Sequence, residues 1–193
     1  MTSHTIRIIG GQWMRSKLPV ANRPGLRPTP DRVRETLFNW LGQDLTGWRC
    51  VDAFAGTGVL GFEAASRGAA DVLLVEQDPV HAAQIQSTQV RLAAHAVRVV
   101  VGNGTDTLWQ QAPGSIDAVF LDPPFDATLL EAALQAAAQA VASTGYVYLE
   151  AGRRWDGTSL RATGLHVYRY LKAGIVHAHL LTPSHETTKL SPV

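Results

Sequence analysis

From residue 49 onward, short apolar runs alternate with segments whose apolar positions recur at helical spacing. Five strands are predicted: residues 49–53, Asp71-Val-Leu-Leu-Val-Glu76, Val97-Arg-Val-Val-Val101, Ile116-Asp-Ala-Val-Phe-Leu-Asp122 and Tyr146-Val-Tyr-Leu-Glu150. Helices are predicted from the glycine-rich turn after residue 53 to about Ser66, from Pro79 to about His95, briefly to about Gln111, and over the alanine-rich stretch Ala127–Ala142. Near-continuous apolar strands separated by helices imply a parallel sheet with right-handed crossovers. Leu165–Leu171 and Ile175–Leu181, joined through Lys172-Ala-Gly174, predict an antiparallel hairpin at the sheet edge. No clear helix is visible in residues 151–164, and the last dozen residues are polar.

Ahead of the β-α repeat, Thr5–Ile9 and Gln12–Leu18 alternate around Gly10-Gly11 and predict a small β-hairpin. It is too little to fold alone and must lean on the main domain or on a partner. Pro19 to Pro30 reads as an extended linker. Thr29-Pro30-Asp31 then opens a helix, with Thr29 or Asp31 as its cap. Val33, Leu37, Trp40 and Leu41 mark its apolar stripe, and Gly42 to Gly47 end it. The expected organisation is a hairpin and linker over 1–30, an α/β domain over 31–185 and a flexible tail over 186–193.

With 193 residues, 46% of them hydrophobic, the chain fills one sizeable core. The net charge of +1 says little, but its distribution is uneven. Residues 1–49 hold 8 Lys/Arg against 3 Asp/Glu, whereas residues 50–193 hold 9 against 13. A basic N-terminal segment beside an acidic body points to a polyanion partner next to a cofactor domain. The one cysteine, Cys50, lies on the first predicted strand and reads as a small core residue, so no intrachain disulfide forms. No signal peptide or membrane-spanning apolar run is visible, and the expected location is the cytoplasm.

The chemistry begins at Cys50-Val-Asp52-Ala-Phe54-Ala-Gly56-Thr57-Gly58-Val-Leu-Gly61, a strand–loop–helix junction. Its glycines allow a tight turn and close approach of a ligand, and the helix N-terminus offers free N–H groups. Gly-x-Gly-x-x-Gly alone is a weak signal of a nucleotide site. Asp52 at the strand end repels a pyrophosphate and suits a cationic ligand, which favours S-adenosylmethionine over a nicotinamide or flavin cofactor. Open α/β sheets bind at the carboxyl ends of their strands, so the next strand ends belong to the same ligand. Glu76 is placed to bind ribose hydroxyls, with Asp78 as competitor. Gly102-Asn103-Gly104 offers a side-chain amide to an adenine edge, or is a plain turn.

Asp122-Pro123-Pro124-Phe125 ends the fourth strand. Two acceptors, the Asp122 carboxylate and the Pro123 carbonyl, stand on a stiff diprolyl corner that donates nothing. That arrangement suits an exocyclic amino group, and Phe125 can stack on a flipped base.

These two motifs resemble the donor and catalytic motifs of Rossmann-fold methyltransferases that act on exocyclic amines of nucleic acids. Ile6-Arg-Ile-Ile-Gly-Gly-Gln-Trp13, Lys17-Leu18 and Leu26-Arg-Pro-Thr-Pro-Asp-Arg-Val-Arg-Glu-Thr-Leu-Phe-Asn-Trp-Leu41 sharpen the likeness. Together they resemble the RsmD family of bacterial ribosomal RNA methyltransferases, over residues 6 to about 181. The resemblance implies a Rossmann-like α/β fold, with a seven-stranded, mostly parallel sheet, an antiparallel edge strand and a small N-terminal β-hairpin. It implies transfer of methyl from S-adenosylmethionine, leaving S-adenosylhomocysteine, to guanine N2 in 16S ribosomal RNA, at position 966 of that RNA. The substrate would be that RNA within a 30S subunit or an assembly intermediate, and the enzyme a monomer without metal or membrane.

Carried onto this chain, Arg27, Thr29, Asp52, Phe54, Ala55, Gly56, Thr57, Gly58, Glu76, Gln77, Asn103, Gly104 and Asp122 would hold the donor. Asp122, Pro123, Pro124 and Phe125 would hold the guanine, and Arg7, Trp13, Arg15, Lys17, Arg32 and Arg34 would contact RNA. The chain departs from the family at Met14-Arg15-Ser16, where Arg-Gly-Arg/Lys is usual, so the hairpin's grip can differ. Trp13 either stacks on RNA or covers the domain. His177 and His179 share a strand face without a third ligand and read as structural. Rival readings are a DNA adenine-N6 methyltransferase, a non-catalytic RNA-binding assembly factor retaining the donor site, and a nicotinamide reductase.

Overall fold

The computed structural model describes residues 5–20, 29–123 and 127–184. Seven strands form one sheet: β3 (Arg49–Asp52), β4 (Asp71–Glu76), β5 (Val97–Val101), β6 (Ile116–Leu121), β7 (Val141–Ala151), β8 (Leu165–Ala173) and β9 (Val176–Pro183). Their order is β5-β4-β3-β6-β7-β9-β8. The first five in that order pair in parallel, and β9 runs antiparallel to both β7 and β8. The expected antiparallel pair does sit at the edge. Within it, however, β9 is the reversed strand and lies one position in, while β8 forms the rim. The reason is apolar content: Ala178, Leu180 and Leu181 of β9 are buried, whereas Tyr168, Arg169 and Lys172 of β8 face solvent.

Side chains alternate between the two sheet faces, as the strand period of two requires. Cys50, Val72, Leu74, Ala118, Phe120 and Tyr148 enter one core with α1 (Asp31–Leu41), α2 (Val59–Ser66) and Ile85 of α3 (Pro79–Arg91). Val51, Leu73, Val75, Val119, Leu121 and Leu149 enter the other. That second core also takes Leu108 of α4 (Gly104–Trp109), Leu130 and Leu134 of α5 (Ala127–Ala140), and Leu160 of α6 (Gly157–Leu160). The chain is thus wound on both faces of the sheet, and both faces converge on the same row of strand ends.

Several element limits differ from the sequence expectation. The helix α5 stops at Ala140 and β7 starts at Val141, because Val141 pairs with Ile116 across the sheet. A short α6 occupies part of 151–164, capped by the Asp156 carboxylate, which accepts from Thr158 and Ser159 N–H. The helix α3 ends at Arg91 rather than near His95. Neither Thr29 nor Asp31 caps α1: Pro30 occupies that position without a side-chain bond, because Thr29 turns inward and Asp31 pairs with Arg34.

The N-terminal hairpin pairs β1 (Thr5–Arg7) with β2 (Lys17–Pro19). Its reversal is not a tight turn at Gly10-Gly11 but a wide loop over 8–16, closed by Ile8 N–H to Ser16 O at 3.0 Å and Arg15 N–H to Ile8 O at 2.8 Å. That loop lies along α2. Gln12 N–H donates to Ser66 O at 2.8 Å, Trp13 N–H to Ser66 Oγ at 3.0 Å, and Ile9 N–H to Glu63 Oε1 at 2.7 Å. Ile8 and Leu18 are fully buried beneath it, each stabilising the docked form by about 1.5–3 kcal/mol. The linker between Pro19 and Pro30 falls largely at 21–28, outside the described residues.

Candidate functional site

The loop after β3 is fixed by backbone bonds from both neighbouring strands. Ala53 N–H donates to Phe120 O at 3.1 Å, and Ala55 N–H to Val75 O at 2.9 Å. Gly56 and Gly58 then take φ of +55° and +75°, a region that side-chain-bearing residues rarely occupy. Gly58 stands at the N-cap position of α2, so the loop feeds directly into that helix. Asp52 is 2% exposed, and its Oδ2 accepts from Gly61 N–H at 3.1 Å, satisfying one of the helix's free donors. The carboxyl thus pins the start of α2 from beneath instead of lying open on the surface.

Glu76 is the tie on the other side. Its Oε2 accepts from Gly56 N–H at 2.8 Å and its Oε1 from Asp78 N–H at 2.9 Å, so one carboxylate braces the glycine loop and the turn after β4. Asp78 is engaged elsewhere: its Oδ1 caps α3 through Val80 N–H at 2.8 Å. Of the two acids, Glu76 is therefore the one set against the glycine loop. Gln77 is exposed between them. Phe54 and Thr57 are half-buried in the loop, and Ala55 is buried.

Asn103 caps α4, its Oδ1 accepting from Thr105 N–H at 2.9 Å and Asp106 N–H at 3.2 Å. Its oxygen has a structural duty, which accounts for an Asn at this position without reference to adenine. Beside it, Gly104 lies so close to the glycine loop that a Cβ there would sit 1.9 Å from Ala53 O. Only glycine lets α4 start against that loop.

Asp122 follows β6, half-buried, with Pro123 buried next to it. Pro124, Phe125 and the linker residue Arg27 lie outside the described residues. Register places Leu121 opposite Leu149, so Asp122 comes level with Glu150 on the adjacent strand. Glu150 was not among the sequence candidates. It is 3% exposed, accepts from Tyr148 OH at 2.8 Å, and is hydrogen-bonded by the side chain of Thr29, itself 2% exposed. The signal for it was present: Tyr146-Val-Tyr-Leu-Glu150 is another apolar strand ending in an acid, like three of the four before it.

In sheet order, β4, β3, β6 and β7 therefore carry Glu76, Asp52, Asp122 and Glu150 at or next to their carboxyl ends, a row of four carboxyls across adjacent strand tips. Burial, then crowding, raises the proton affinity of Asp52, Asp122 and Glu150. Burial pushes the Asp52 carboxyl up to about 7, opposed by the Gly61 hydrogen bond and helped by Glu76. Asp122 is raised by burial, then by the charges of Glu150 and Asp52. Glu150 is raised by burial, with Thr29, Tyr148 and Arg34 pulling the other way. A polyphosphate would be repelled here, whereas a ligand bearing ammonium and sulfonium groups relieves the repulsion. The glycine loop, the Gly104 approach and the acid row thus fit S-adenosylmethionine better than a dinucleotide.

The basic candidates divide. Arg7, Arg15, Lys17 and Arg32 are exposed. Trp13 is half-buried and packs against the core, covering the domain. Arg34 is a correction: it is fully buried and has no surface for RNA. Its Nη1 meets Glu63 Oε1 at 2.7 Å and Arg7 O at 2.9 Å, and its Nη2 meets Asp31 Oδ1 at 2.6 Å. Arg67 binds the other oxygen of Glu63 and lies 4.2 Å from the Phe38 ring centroid. The hairpin loop, moreover, sits at Ser66, the last residue of α2, seven residues or about 10 Å along the helix from the glycine loop. Only the β2 limb returns toward the site, where Pro19 shares a shallow cleft with Gly56 and Thr57. His179, finally, is structural: its Nε2 accepts from Trp155 N–H at 3.0 Å, and burial holds its proton affinity down to about 4.

A family model described as conserved hypothetical protein 95 matches residues 6–182. The ribosomal RNA small subunit methyltransferase D of Escherichia coli K12 is 52% identical over 130 residues, 67% of this chain and 65% of that protein. The protein of the same name from Haemophilus influenzae is 46% identical over 132 residues, 67% of this chain and 68% of its own length. The match therefore spans just under two thirds of the Escherichia coli relative. Among solved structures, a putative methyltransferase from Escherichia coli superposes with a TM-score of 0.79 at 36% identity, covering 93% of this chain and 98% of that one.

Proposed function

The chain belongs to the RsmD family of methyltransferases, and from that premise we propose that it transfers a methyl group from S-adenosylmethionine to the exocyclic N2 of a guanine in 16S ribosomal RNA. The observation that carries this reading is the acid row, which runs from the glycine loop directly to the Asp122-Pro123 corner. A site for a cationic donor and a site for an amino group are then one sheet position apart. The names of the relatives support ribosomal RNA as the substrate class.

S-adenosylmethionine supplies an electrophilic methyl on a positively charged sulfur. The N2 lone pair of guanine forms a bond to that carbon in line with the departing sulfur, which keeps the electron pair of the broken bond and leaves as S-adenosylhomocysteine. What the protein contributes is alignment and electrostatics. The Asp122 carboxyl and Pro123 carbonyl accept from the amino hydrogens and turn the nitrogen lone pair toward the methyl. Methylation makes the amine acidic, so its proton is shed afterwards. The proton affinity of Asp122, raised by burial and then by the charge of Glu150, suits a group that receives it. Gly56, Gly58 and Glu76 hold the donor, and Asp52 supports the loop from below.

The test is nucleoside mass spectrometry of 16S RNA after incubation with isotope-labelled donor, in parallel with 30S subunits, naked 16S RNA and duplex DNA. N2-methylguanosine in either ribosomal sample is the expected result. N6-methyladenine in the duplex alone would transfer the assignment to DNA, and no labelled base in any sample would remove it.

A further inference from the structure

The exposed cations of this protein are not confined to its N-terminal segment. Residues 50–150 hold 3 Lys/Arg and 11 Asp/Glu, whereas residues 151–183 hold 5 Lys/Arg and a single acid, Asp156. Asp156 is occupied as the cap of α6. The sheet register shows where one of these cations, Lys172, lies. Ala151 pairs with His177 on β9, and His177 pairs with Lys172 on β8, so one row crosses three strands at the carboxyl end of β7. Asp122 is level with Glu150, one residue before that row. The turn from β8 to β9 therefore stands at the same end of the sheet as the Asp122 corner, three strand spacings or about 14 Å away.

The chemistry of this rim is cationic and aromatic together. The Arg154 guanidinium lies 4.8 Å from the Tyr170 ring centroid, and Tyr170 OH is 2.8 Å from His177 Nδ1. Burial, then the charges of Lys172 and Arg154, lower the proton affinity of His177, so the two cations act on one spot. Arg154 and Lys172 are exposed, and among the described residues neither has an ion-pair partner. The buried Arg34 and Arg67, by contrast, are fully paired. Cations without an ion-pair partner beside the half-buried Tyr170 ring match a single-stranded nucleic acid, whose phosphates take the charges and whose bases can stack at the ring and the guanidinium.

We propose that the β8–β9 turn, with Arg154, Tyr170 and Lys172, is a second RNA contact that holds the single strand flanking the target guanine. The proposal rests on the methyl-transfer reading for its choice of RNA. It supplies what the hairpin loop, displaced along α2, does not: positive charge level with the reactive corner. With the hairpin on the α2 side and this rim beyond β7, RNA would cross the acid row between two basic flanks.

The experiment compares wild type, Arg154→Ala/Lys172→Ala and the control Arg161→Ala by fluorescence anisotropy with a labelled 16S RNA fragment over a salt series. Arg161 lies between α6 and the opposite end of β8, so its variant removes an exposed charge remote from the rim. The double variant should bind roughly tenfold more weakly and lower the slope of log affinity on log salt by about 1–2, as two lost phosphate contacts require. Donor binding by calorimetry and the melting temperature should match wild type, and Arg161→Ala should bind within twofold of wild type. Equal affinity and slope for the double variant and wild type would overturn the proposal, as would equal losses in the two variants. If wild type methylates ribosomal RNA and the double variant binds as well, the rim fails and the activity stands. If wild type methylates no RNA yet the double variant loses RNA affinity, the rim stands and the activity reading fails.

Discussion

Arg34 Nη1 lies 2.7 Å from Glu63 Oε1, and both side chains are fully buried. This pair joins α1 to α2, and through the Arg7 carbonyl and Ile9 N–H it also holds the hairpin. The hairpin is thereby locked to the helix that begins at the donor loop. Glu63→Ala leaves Arg34 and Arg67 without their shared carboxylate in a dry interior. The expected cost is about 3–5 kcal/mol in urea unfolding. A loss under 1 kcal/mol would show that water or a side-chain shift replaces the carboxylate.

Glu76 braces two backbone N–H groups, one on each carboxylate oxygen, whereas glutamine in the same place presents one oxygen and one NH₂. Glu76→Gln should weaken S-adenosylhomocysteine binding by roughly 10–100-fold in calorimetry, equivalent to about 1.4–2.7 kcal/mol. The melting temperature should fall as well, because one of the two backbone N–H groups loses its acceptor. Undiminished affinity would remove Glu76 from the donor site.

Asp122→Ala should keep S-adenosylhomocysteine affinity within about threefold while lowering the rate of methyl transfer by at least ~100-fold, since the amine loses a charged acceptor. Single-turnover transfer from labelled donor to 30S subunits measures it. Unchanged turnover would mean that Asp122 does not hold the amine.

Gly104→Ala drives a methyl group into the Ala53 carbonyl, a backbone atom that cannot rotate away. The start of α4 must move off the donor loop, with a destabilisation of about 1–3 kcal/mol. Donor affinity should fall with it if the glycine loop holds the donor as proposed, because the shift displaces that loop's neighbour. Thermal melting and calorimetry on the same variant check the two effects together.

Asp52 sets a pH dependence. Its carboxyl titrates near 7 in the folded chain against 3.8 ordinarily, so between these values the folded state holds a proton that the unfolded state has released. Its contribution to stability is complete below pH 4 and is lost as pH rises through about 7. The drop in unfolding free energy from pH 5 to pH 8 should be smaller in Asp52→Asn than in wild type. A cationic donor works in the opposite direction. It favours the ionised acids, so its binding should release protons and tighten between pH 6 and pH 8. Calorimetry in buffers of different ionisation enthalpy reads that release directly, and proton uptake instead would refute the cationic fit.

The sequence by itself determined the repeated strands, the glycine loop and the acids Asp52, Glu76 and Asp122 at three strand ends, because these are local patterns. An apolar run ending in Asp or Glu, a Gly-x-Gly turn and an Asp-Pro helix start depend on residues a few positions apart. Pairing decided the rest. Arg34 is a charged residue flanked by Glu35 and close to Arg32 in the sequence and reads as a surface cation, although Leu37 and Phe38 share its helix face; its burial depends on Glu63, 29 residues away on another element. Glu150 became a member of the site only when register set it beside Asp122, and β9 took the inner position only because its buried face outcompeted that of β8. Charge on a surface and charge in a core look alike in one dimension. The free energy that separates them comes from the dielectric and the partner, and both exist only once the chain has closed on itself.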